Sequence, residues 1–229
     1  INEYLCMRLA AAIKLPVPPV HLIQVPETVY IVQRYDRIVS GDIVKCLHQV
    51  DGCQLLGLGQ DWKYERQGLV SLKRIVEALR GLQLPAKDLL SFQRWVMFNY
   101  LIGNSDAHAK NISVLIDETG YALAPFYDLL CVQVYGDDRL ALYIGDEDQY
   151  ASIGAHSWEA FCEDCGFSVK STMTLFRKMA QDVAKAWATV TAQATVDFAL
   201  SRPELGLIQS ITMVIETNCS AALSMTTKR

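Results

Sequence analysis

Three polar side chains near the middle of the chain have the types and the order that phosphoryl transfer requires. They lie in the stretch from Gly103 to Ser113 and in Phe126-Tyr127-Asp128 shortly after it. Asp106 can accept a proton from an attacking hydroxyl, and Asn111 and Asp128 carry the hard oxygen ligands that Mg²⁺ prefers. Phosphoryl transfer asks a protein mainly to hold a nucleotide, to neutralise its phosphates with Mg²⁺ and to orient the hydroxyl.

The spacing of these residues narrows the chemistry. Protein kinases use an Asp base, an Asn after a four-residue gap and a later metal-binding Asp, which is the order found here. Within the gap, His108 and Lys110 could bind phosphate oxygens or the substrate. Asp and Asn are also common in turns, because their side chains cap backbone N–H groups. The spacing alone therefore leaves both a phosphoryl-transfer site and a structural turn open.

A second enzymatic interpretation starts from the same residues. Asp106-Ala107-His108 matches the DxH that opens a metallophosphoesterase site, which usually binds two metal ions and demands further histidines and carboxylates. The chain has only four histidines, and the acidic segments near residues 137 and 146 have no histidine-bearing partner motif. This alternative is the less favoured one.

Composition describes an ordered globular protein. The 229 residues are 51% hydrophobic and 20% charged, so the chain can bury a large core. A net charge of −4 argues against a general nucleic-acid binder, and no apolar run approaches the roughly 20 residues that span a membrane.

Seven cysteines, mostly in apolar stretches, favour buried reduced thiols and a cytoplasmic protein. The lone Cys162/Cys165 pair is weak evidence for zinc or redox chemistry, and we interpret it as structural.

The surrounding elements must position the candidate residues. Periodicity and turn residues predict, in chain order, a helix over 2–14, strands over 20–25 and 29–34, helices over 71–82 and from 85 to about 102, strands over 112–116, 121–124 and 139–144, and helices over 158–165, 170–200 and 204–224. From about residue 40 the pattern is predicted to turn helical. The apolar helix before residue 103 should be buried and deliver the loop of Asp106. The following hairpin, with its turn at 117–120, should deliver Asp128.

Four segments of the chain resemble the kinase core of HipA-type toxins, the serine/threonine kinases of bacterial toxin–antitoxin pairs. They are Asn2–Cys6 with the following Leu15-Pro16-Val17-Pro18, Gln33–Arg37, Leu47–Asp51 through Lys63–Glu65, and Gly103–Asp128. The segments follow one another in the family's order over about 130 residues, whereas the C-terminal hundred residues match only in helical character.

The resemblance implies a role for each candidate residue in the central stretch. Asp106 would be the catalytic base, Asn111 and Asp128 would bind Mg²⁺, and His108 and Lys110 would lie near the phosphates of ATP. Kinases often have a lysine two residues after the catalytic Asp, so His108 departs from that pattern.

The resemblance also implies an adenine-binding hinge at Gln33, Arg34 and Tyr35, acting mainly through backbone groups, with Asp36 near the ribose. The family more often has Glu-Arg-Phe there, so a side-chain contact from an acid is lost. Glu3 is placed like the acid that pairs with the nucleotide-binding lysine. That lysine and the phosphate-covering loop would lie upstream of Ile1, and without them we expect the chain to bind ATP poorly.

These inferences define the expected architecture and function. The predicted fold is α+β and predominantly helical, with a protein-kinase-like C-terminal lobe over 39–229 and a remnant of the small β-rich N-lobe over 1–38. The resemblance implies a protein substrate, within the family an aminoacyl-tRNA synthetase among others, and a DNA-binding antitoxin as partner. A non-catalytic, pseudokinase-like binding module is the main alternative to a kinase. The segment with His48, Gln49 and Asp51 matches one that recurs in the family. A structural role for these residues is at least as well supported as a functional one.

Overall fold

The structure is a computed structural model that describes residues 1–118 and 120–226. Its helices are α1 (Asn2–Ala12), α2 (Gly52–Leu55), α3 (Leu72–Gly81), α4 (Ala86–Ile102), α5 (Ala155–Cys165), α6 (Val169–Asp197) and α7 (Arg202–Ser224). Its strands are β1 (Val20–Gln24), β2 (Thr28–Val32), β3 (Arg37–Ser40), β4 (Ile43–Cys46), β5 (His48–Asp51), β6 (Ser113–Asp117), β7 (Gly120–Leu123), β8 (Arg139–Ile144) and β9 (Glu147–Gln149). The strands form small antiparallel sheets in the orders β1-β2, β3-β4, β5-β6-β7 and β8-β9.

Helix α4 is central, as its apolar sequence predicts. It follows Pro85 and ends at Gly103, whose φ of 71° is the left-handed conformation that glycine adopts without strain at a helix C-terminus. Between these ends, Trp95, Phe98 and Ile102 are buried in the core. The helix therefore holds the start of the Asp106 loop on a rigid, fully packed element.

The hairpin after the loop is formed by β6 and β7, with Val114 opposite Leu123. Its predicted turn includes Thr119, which lies outside the described residues. Strand β5 adds to the other side of β6, with Asp51 opposite Ser113. Asp51 then caps α2 by accepting a hydrogen bond of 2.9 Å from the backbone N–H of Gln54.

The segment from residue 37 to 51 corrects the prediction that the chain turns helical near residue 40. It forms strands β3, β4 and β5 instead. Two β-branched pairs, at 38–39 and 43–44, flank a turn in which Gly41 has φ of 60°. Such residues favour extended backbone on both sides of a tight turn, so the hairpin outcompetes a helix. Helix α1 also ends at Ala12 rather than at residue 14, where Lys14 adopts φ of 61°.

The helices of the two ends of the chain share one hydrophobic core. Leu5 and Leu9 of α1 are fully buried in the same cluster as Val183 of α6 and Ile211 of α7. The ring of Tyr4 meets that of Phe198 edge-on at 5.6 Å. Among the described residues, none of the helices combines the length and apolarity needed to cross a bilayer.

Candidate active site

Asp106 lies in the loop after α4, whose backbone is held by several hydrogen bonds. The carbonyl of Gly103 accepts from the N–H groups of Val132 and Gln133, both at 2.9 Å, and the carbonyl of Asp106 accepts from His108 at 2.8 Å. A single 3₁₀ turn over Ala109–Asn111 follows. The Asp106 carboxylate is half-buried and accepts no hydrogen bond within the described residues. Its oxygens are thus available to an external hydroxyl.

Asn111 and Asp128 lie in direct contact. The Asn111 amide N–H₂ donates to Asp128 Oδ2 at 2.6 Å, and Asn111 Oδ1 accepts from the backbone N–H of His108 at 3.0 Å. Asp128 has φ of 57°, and its carbonyl accepts from Asn104 Nδ2 at 3.2 Å. The two predicted metal ligands are therefore brought together, although a cation shared by both requires the Asn111 amide to turn its oxygen toward it.

The donor set near Asp128 fits Mg²⁺, which binds carboxylate and amide oxygens and keeps several other positions for water or phosphate. It does not fit a dinuclear phosphoesterase site. Within residues 1–118 and 120–226, no three His, Cys, Asp or Glu side chains converge as such a site requires.

His108 lies inside the protein beside the loop. It is 8% exposed, its ring meets the edge of the Tyr64 ring at 5.6 Å, and Nδ1 has no hydrogen-bond partner in the described part of the chain. Burial lowers the pKa of His108, with Asp106 acting in the opposite direction and Lys63 adding to the decrease. The imidazole is therefore neutral at pH 7 and can donate one hydrogen bond toward a phosphate oxygen.

Lys110 occupies a more open position than His108. Its side chain is half-buried and makes no ion pair within the described residues. Its backbone carbonyl accepts from the hydroxyl of Tyr127 at 2.5 Å, and that hydroxyl also lies 3.0 Å from Ser113 Oγ. Tyr127 thus ties the Lys110 turn to the residue immediately before Asp128.

The predicted hinge lines a cavity of about 250 Å³, together with Pro18, Val32, Gln49 and Tyr127. This is slightly below the range of about 300–1,000 Å³ for small-molecule sites, so the cavity suits one part of a nucleotide. The backbone N–H groups of Arg34 and Tyr35 donate to no group in the described chain, whereas that of Gln33 donates to the carbonyl of Pro19 at 2.9 Å.

Two side chains that sequence reasoning did not assign to the site complete the cavity wall. Tyr127 stacks on Tyr35, with ring centroids 5.9 Å apart, and Gln49 Oε1 accepts from the Tyr35 hydroxyl at 2.8 Å. Tyr35 therefore links the hinge to the segment of Asp128. The position of Tyr127 next to a candidate metal ligand was the one available signal, and the contact itself joins residues far apart in sequence.

Asp36 is held by arginines rather than left open to a ligand. Its buried carboxylate accepts from Arg34 Nε and Nη2 at 2.7 and 2.6 Å and from Arg37 Nη1 at 2.5 Å. The hydrogen bonds from Arg34 are the main cause that lowers the pKa of Asp36 to about 2. Its contact with a ribose remains a prediction.

Glu3 lies in the first turn of α1. Burial raises the pKa of its carboxyl, and the nearby charge of Asp128 raises it further. A cation bound near both carboxylates would reduce this unfavourable interaction. The pairing of Glu3 with a nucleotide-binding lysine stays a prediction.

The cysteines carry no site chemistry in this arrangement. All seven are free, and Cys46 alone among them is exposed. Burial raises the pKa of Cys165 to about 12 and also raises that of Cys162, so both thiols stay protonated and unreactive at neutral pH.

Comparisons of sequence identify relatives of the chain. Residues 1–187 match the sequence model of the HipA-like C-terminal domain. "Putative kinase Y4mE" of Sinorhizobium fredii is 37% identical over 194 residues, which cover 82% of this chain and 46% of that protein. The "Serine/threonine-protein kinase toxin HipA" of Shewanella oneidensis is 32% identical over 207 residues, which cover 83% of this chain and 48% of that protein. The chain spans about half the length of these curated relatives.

Two solved structures share the fold. HipA of Shewanella oneidensis, solved with HipB and its operator DNA, has a TM-score of 0.89 and 28% identity and covers 96% of this chain and 55% of its own. The proinflammatory kinase CtkA of Helicobacter pylori has a TM-score of 0.63 over 97% of this chain and 78% of its own, and at 12% identity it supports the fold alone. The predicted α+β, protein-kinase-like fold class is confirmed. The chain therefore belongs to the HipA-like C-terminal domain family of HipA-type kinases.

Proposed function

We propose that the protein is a serine/threonine protein kinase that uses ATP and Mg²⁺ and transfers the γ-phosphate to a protein hydroxyl. One observation carries the proposal: Asn111 Nδ2 lies 2.6 Å from Asp128 Oδ2, and Tyr127, the residue before Asp128, lines the cavity of the hinge. A structural turn needs no such convergence of polar groups from separate elements. The names of both sequence relatives, each a kinase, support the same activity.

Each residue of the site then has a distinct role. Asp106 accepts the proton of the attacking hydroxyl. Asp128 and Asn111 would hold Mg²⁺, which would neutralise the charge of the phosphates when bound. The neutral imidazole of His108 donates a hydrogen bond to a phosphate oxygen, and Lys110 contributes a positive charge.

The hinge binds the adenine through its backbone. The N–H groups of Arg34 and Tyr35 are free to donate to ring nitrogens, and the carbonyls of the same segment can accept from the amino group. The Tyr35–Tyr127 stack forms an apolar wall beside the base. The substitution of the family's usual acid by Gln33 leaves these backbone contacts in place.

We further propose the biological setting of this activity. The protein acts as the toxin of a toxin–antitoxin pair in the cytoplasm, phosphorylates a protein such as an aminoacyl-tRNA synthetase, and is restrained by a DNA-binding antitoxin. The likeness to a HipA solved with HipB and operator DNA supports the antitoxin partner. The substrate rests on the family resemblance.

The test is transfer of labelled phosphate from ATP to proteins of a bacterial lysate by the full-length protein, with and without Mg²⁺. We expect Mg²⁺-dependent labelling of a serine or threonine. A thermal shift with Mg-ATP runs in parallel, and ATP at 1,000 times its Kd should add about 4 kcal/mol to the free energy of unfolding. Stabilisation without transfer would support the pseudokinase-like module. The absence of both stabilisation and transfer would contradict nucleotide binding itself.

A further inference from the structure

The first turn of α1 is joined to the segment after Asp128 by one buried side chain. Asn2 is 6% exposed, and its Oδ1 accepts from the backbone N–H of Cys131 at 2.9 Å. Its Nδ2 donates to the carbonyl of Cys131 at 2.8 Å and to the hydroxyl of Tyr135 at 3.2 Å. A single amide therefore satisfies both backbone groups of a residue 129 positions away.

Each end of this link lies close in sequence to a carboxylate. Asn2 directly precedes Glu3, and Cys131 follows Asp128 by three residues. The charge of Asp128 adds to the effect of burial in raising the pKa of the Glu3 carboxyl. The link at Asn2 therefore joins the segment that carries Glu3 to the segment that carries Asp128.

The segment from Asp128 to Cys131 depends on such support. Asp128 adopts φ of 57°, a left-handed conformation that a residue with a side chain keeps only when its surroundings enforce it. Asn104 holds the carbonyl of Asp128 at one end, and Asn2 holds Cys131 at the other. The two amides come from different elements, so the position of Asp128 depends on where α1 lies.

We propose that Asn2 is a positioning residue of the phosphoryl-transfer site. Through Cys131 it sets the separation between Glu3 and Asp128 at which Mg²⁺ and the nucleotide phosphates fit. This inference rests on the proposed function of the cleft. It makes Mg²⁺-dependent nucleotide binding sensitive to the position of the first turn of α1.

The experiment compares three variants of the full-length protein. Asn2→Ala removes the amide, and the isosteric Asn2→Asp keeps an acceptor for Cys131 N–H but loses the donor. Asn218→Ala is the matched control, because Asn218 is also a buried amide and donates to the carbonyl of Tyr100 at 3.0 Å and to Gln133 Oε1 at 2.9 Å, neither of which belongs to α1.

Two readouts are needed besides activity. The first is the Mg²⁺ concentration for half-maximal binding of a fluorescent ATP analogue, which we expect Asn2→Ala and Asn2→Asp to raise about 10- to 100-fold, as for residues that orient metal ligands. The second is amide hydrogen exchange of residues 129–132 without nucleotide, which both variants should accelerate. Asn218→Ala should leave the Mg²⁺ requirement unchanged.

The outcomes separate this inference from the proposed function. An unchanged Mg²⁺ requirement in both Asn2 variants, or an equal increase in Asn218→Ala, would overturn the positioning role. If Asn2→Ala does not fold, the isosteric Asn2→Asp decides. If the wild-type protein fails to bind the analogue at every Mg²⁺ concentration, the proposed function is overturned. The role of Asn2 toward Mg²⁺ then falls with it.

Discussion

The two carboxylates of the candidate site differ in their surroundings. Asp128 is held on three sides, by the Asn111 amide on its side chain, by the Asn104 amide on its carbonyl and by Asn2 through Cys131. Asp106 makes no side-chain hydrogen bond within the described residues. This difference suits a fixed metal ligand and a base that awaits a hydroxyl.

At Asp106, we predict that Asp106→Asn lowers phosphoryl transfer about 100- to 10,000-fold, because the amide cannot accept the proton of the hydroxyl. Nucleotide binding should persist, since the carboxylate makes no hydrogen bond to another group of the site in the described part of the chain. The measurement is label transfer from ATP beside Mg²⁺-dependent nucleotide binding. The exposed Asp42→Asn provides the control, and undiminished transfer by Asp106→Asn would contradict the assigned base.

Glu65 predicts a pH dependence of stability. Its carboxylate accepts from the backbone N–H of Tyr143 at 2.7 Å, and burial raises its pKa to about 7. The folded protein therefore binds this proton more tightly than the unfolded chain between about pH 4.5 and 7, so the free energy of unfolding falls as pH rises through that window. The folded protein therefore favours the protonated carboxyl of Glu65, because ionisation leaves a charge that is partly removed from water.

We expect the Glu65 effect to be on the order of 2 kcal/mol between pH 5 and 8. Glu65→Gln keeps an acceptor for Tyr143 but does not titrate, so its urea-unfolding stability should decline less over this range than that of the wild type. The exposed Glu77→Gln should retain the wild-type slope. Parallel curves for wild type and Glu65→Gln would show that Glu65 ionises normally.

At the scale of elements, the site is assembled where three short segments meet. Helix α4 supplies the loop, the β5-β6-β7 sheet supplies Asp128 through the end of its hairpin, and α2 packs behind the 3₁₀ turn. The contact at α2 is close: the N–H of Gly52 donates to the carbonyl of Ile112 at 2.8 Å, and a Cβ on Gly52 would lie 2.5 Å from the carbonyl oxygen of Ala109. Glycine is required there for space.

This close approach predicts the effect of Gly52→Ala. The added methyl must displace the backbone at Ala109 and with it the turn that carries Asn111, so we expect a loss of about 1–3 kcal/mol in stability and of up to about 100-fold in transfer. Gly81→Ala in α3 is the control, because nothing lies within 4 Å of its added Cβ. It should be neutral or stabilising by up to about 1 kcal/mol. Equal effects of the two substitutions would refute the steric argument.

At the scale of the whole molecule, α1 belongs to the helical core as closely as to the β-rich segment that follows it. Arg94 of α4 donates to the carbonyls of Ile13 and Lys14 at 2.6 and 3.0 Å, which caps the end of α1. Gln24 donates a hydrogen bond to the carbonyl of Ala199, just before α7, and Thr28 donates one to Glu204 in the first turn of α7. The predicted boundary at residue 38 therefore separates segments that are joined by several contacts.

We predict from this packing that α1 unfolds only with the rest of the molecule. Amides of α1 and of α4 should then exchange hydrogen with the same free energy of opening, because Leu5, Leu9 and Tyr4 are buried against the helical core. Native-state hydrogen exchange in low urea measures both. Earlier exchange of α1 together with β1 and β2 would instead indicate that residues 1–38 form an independent unit.

Much of the fold was predictable because its signals are local. The apolar run in α4, with Pro85 and Gly103 at its ends, marked both the helix and its burial. The Asp106 loop and the hairpin followed from turn residues beside strand formers. The segment 37–51 was mispredicted because short β-branched pairs carry little periodicity, and because the pairing of β5 with β6 joins residues far apart in sequence.

The sequence by itself determined the chemical groups of the site and their order, since Asp106, His108, Lys110, Asn111 and Asp128 lie within one loop and one hairpin whose conformations depend on neighbouring residues. Only the tertiary structure decided which groups interact. Tyr35 stacks on Tyr127, Asp128 affects Glu3 electrostatically, and Asn2 forms a hydrogen bond with Cys131. Each of these contacts joins residues about 90 or more positions apart in the sequence. Their geometry depends on how the whole core packs, which no local pattern encodes.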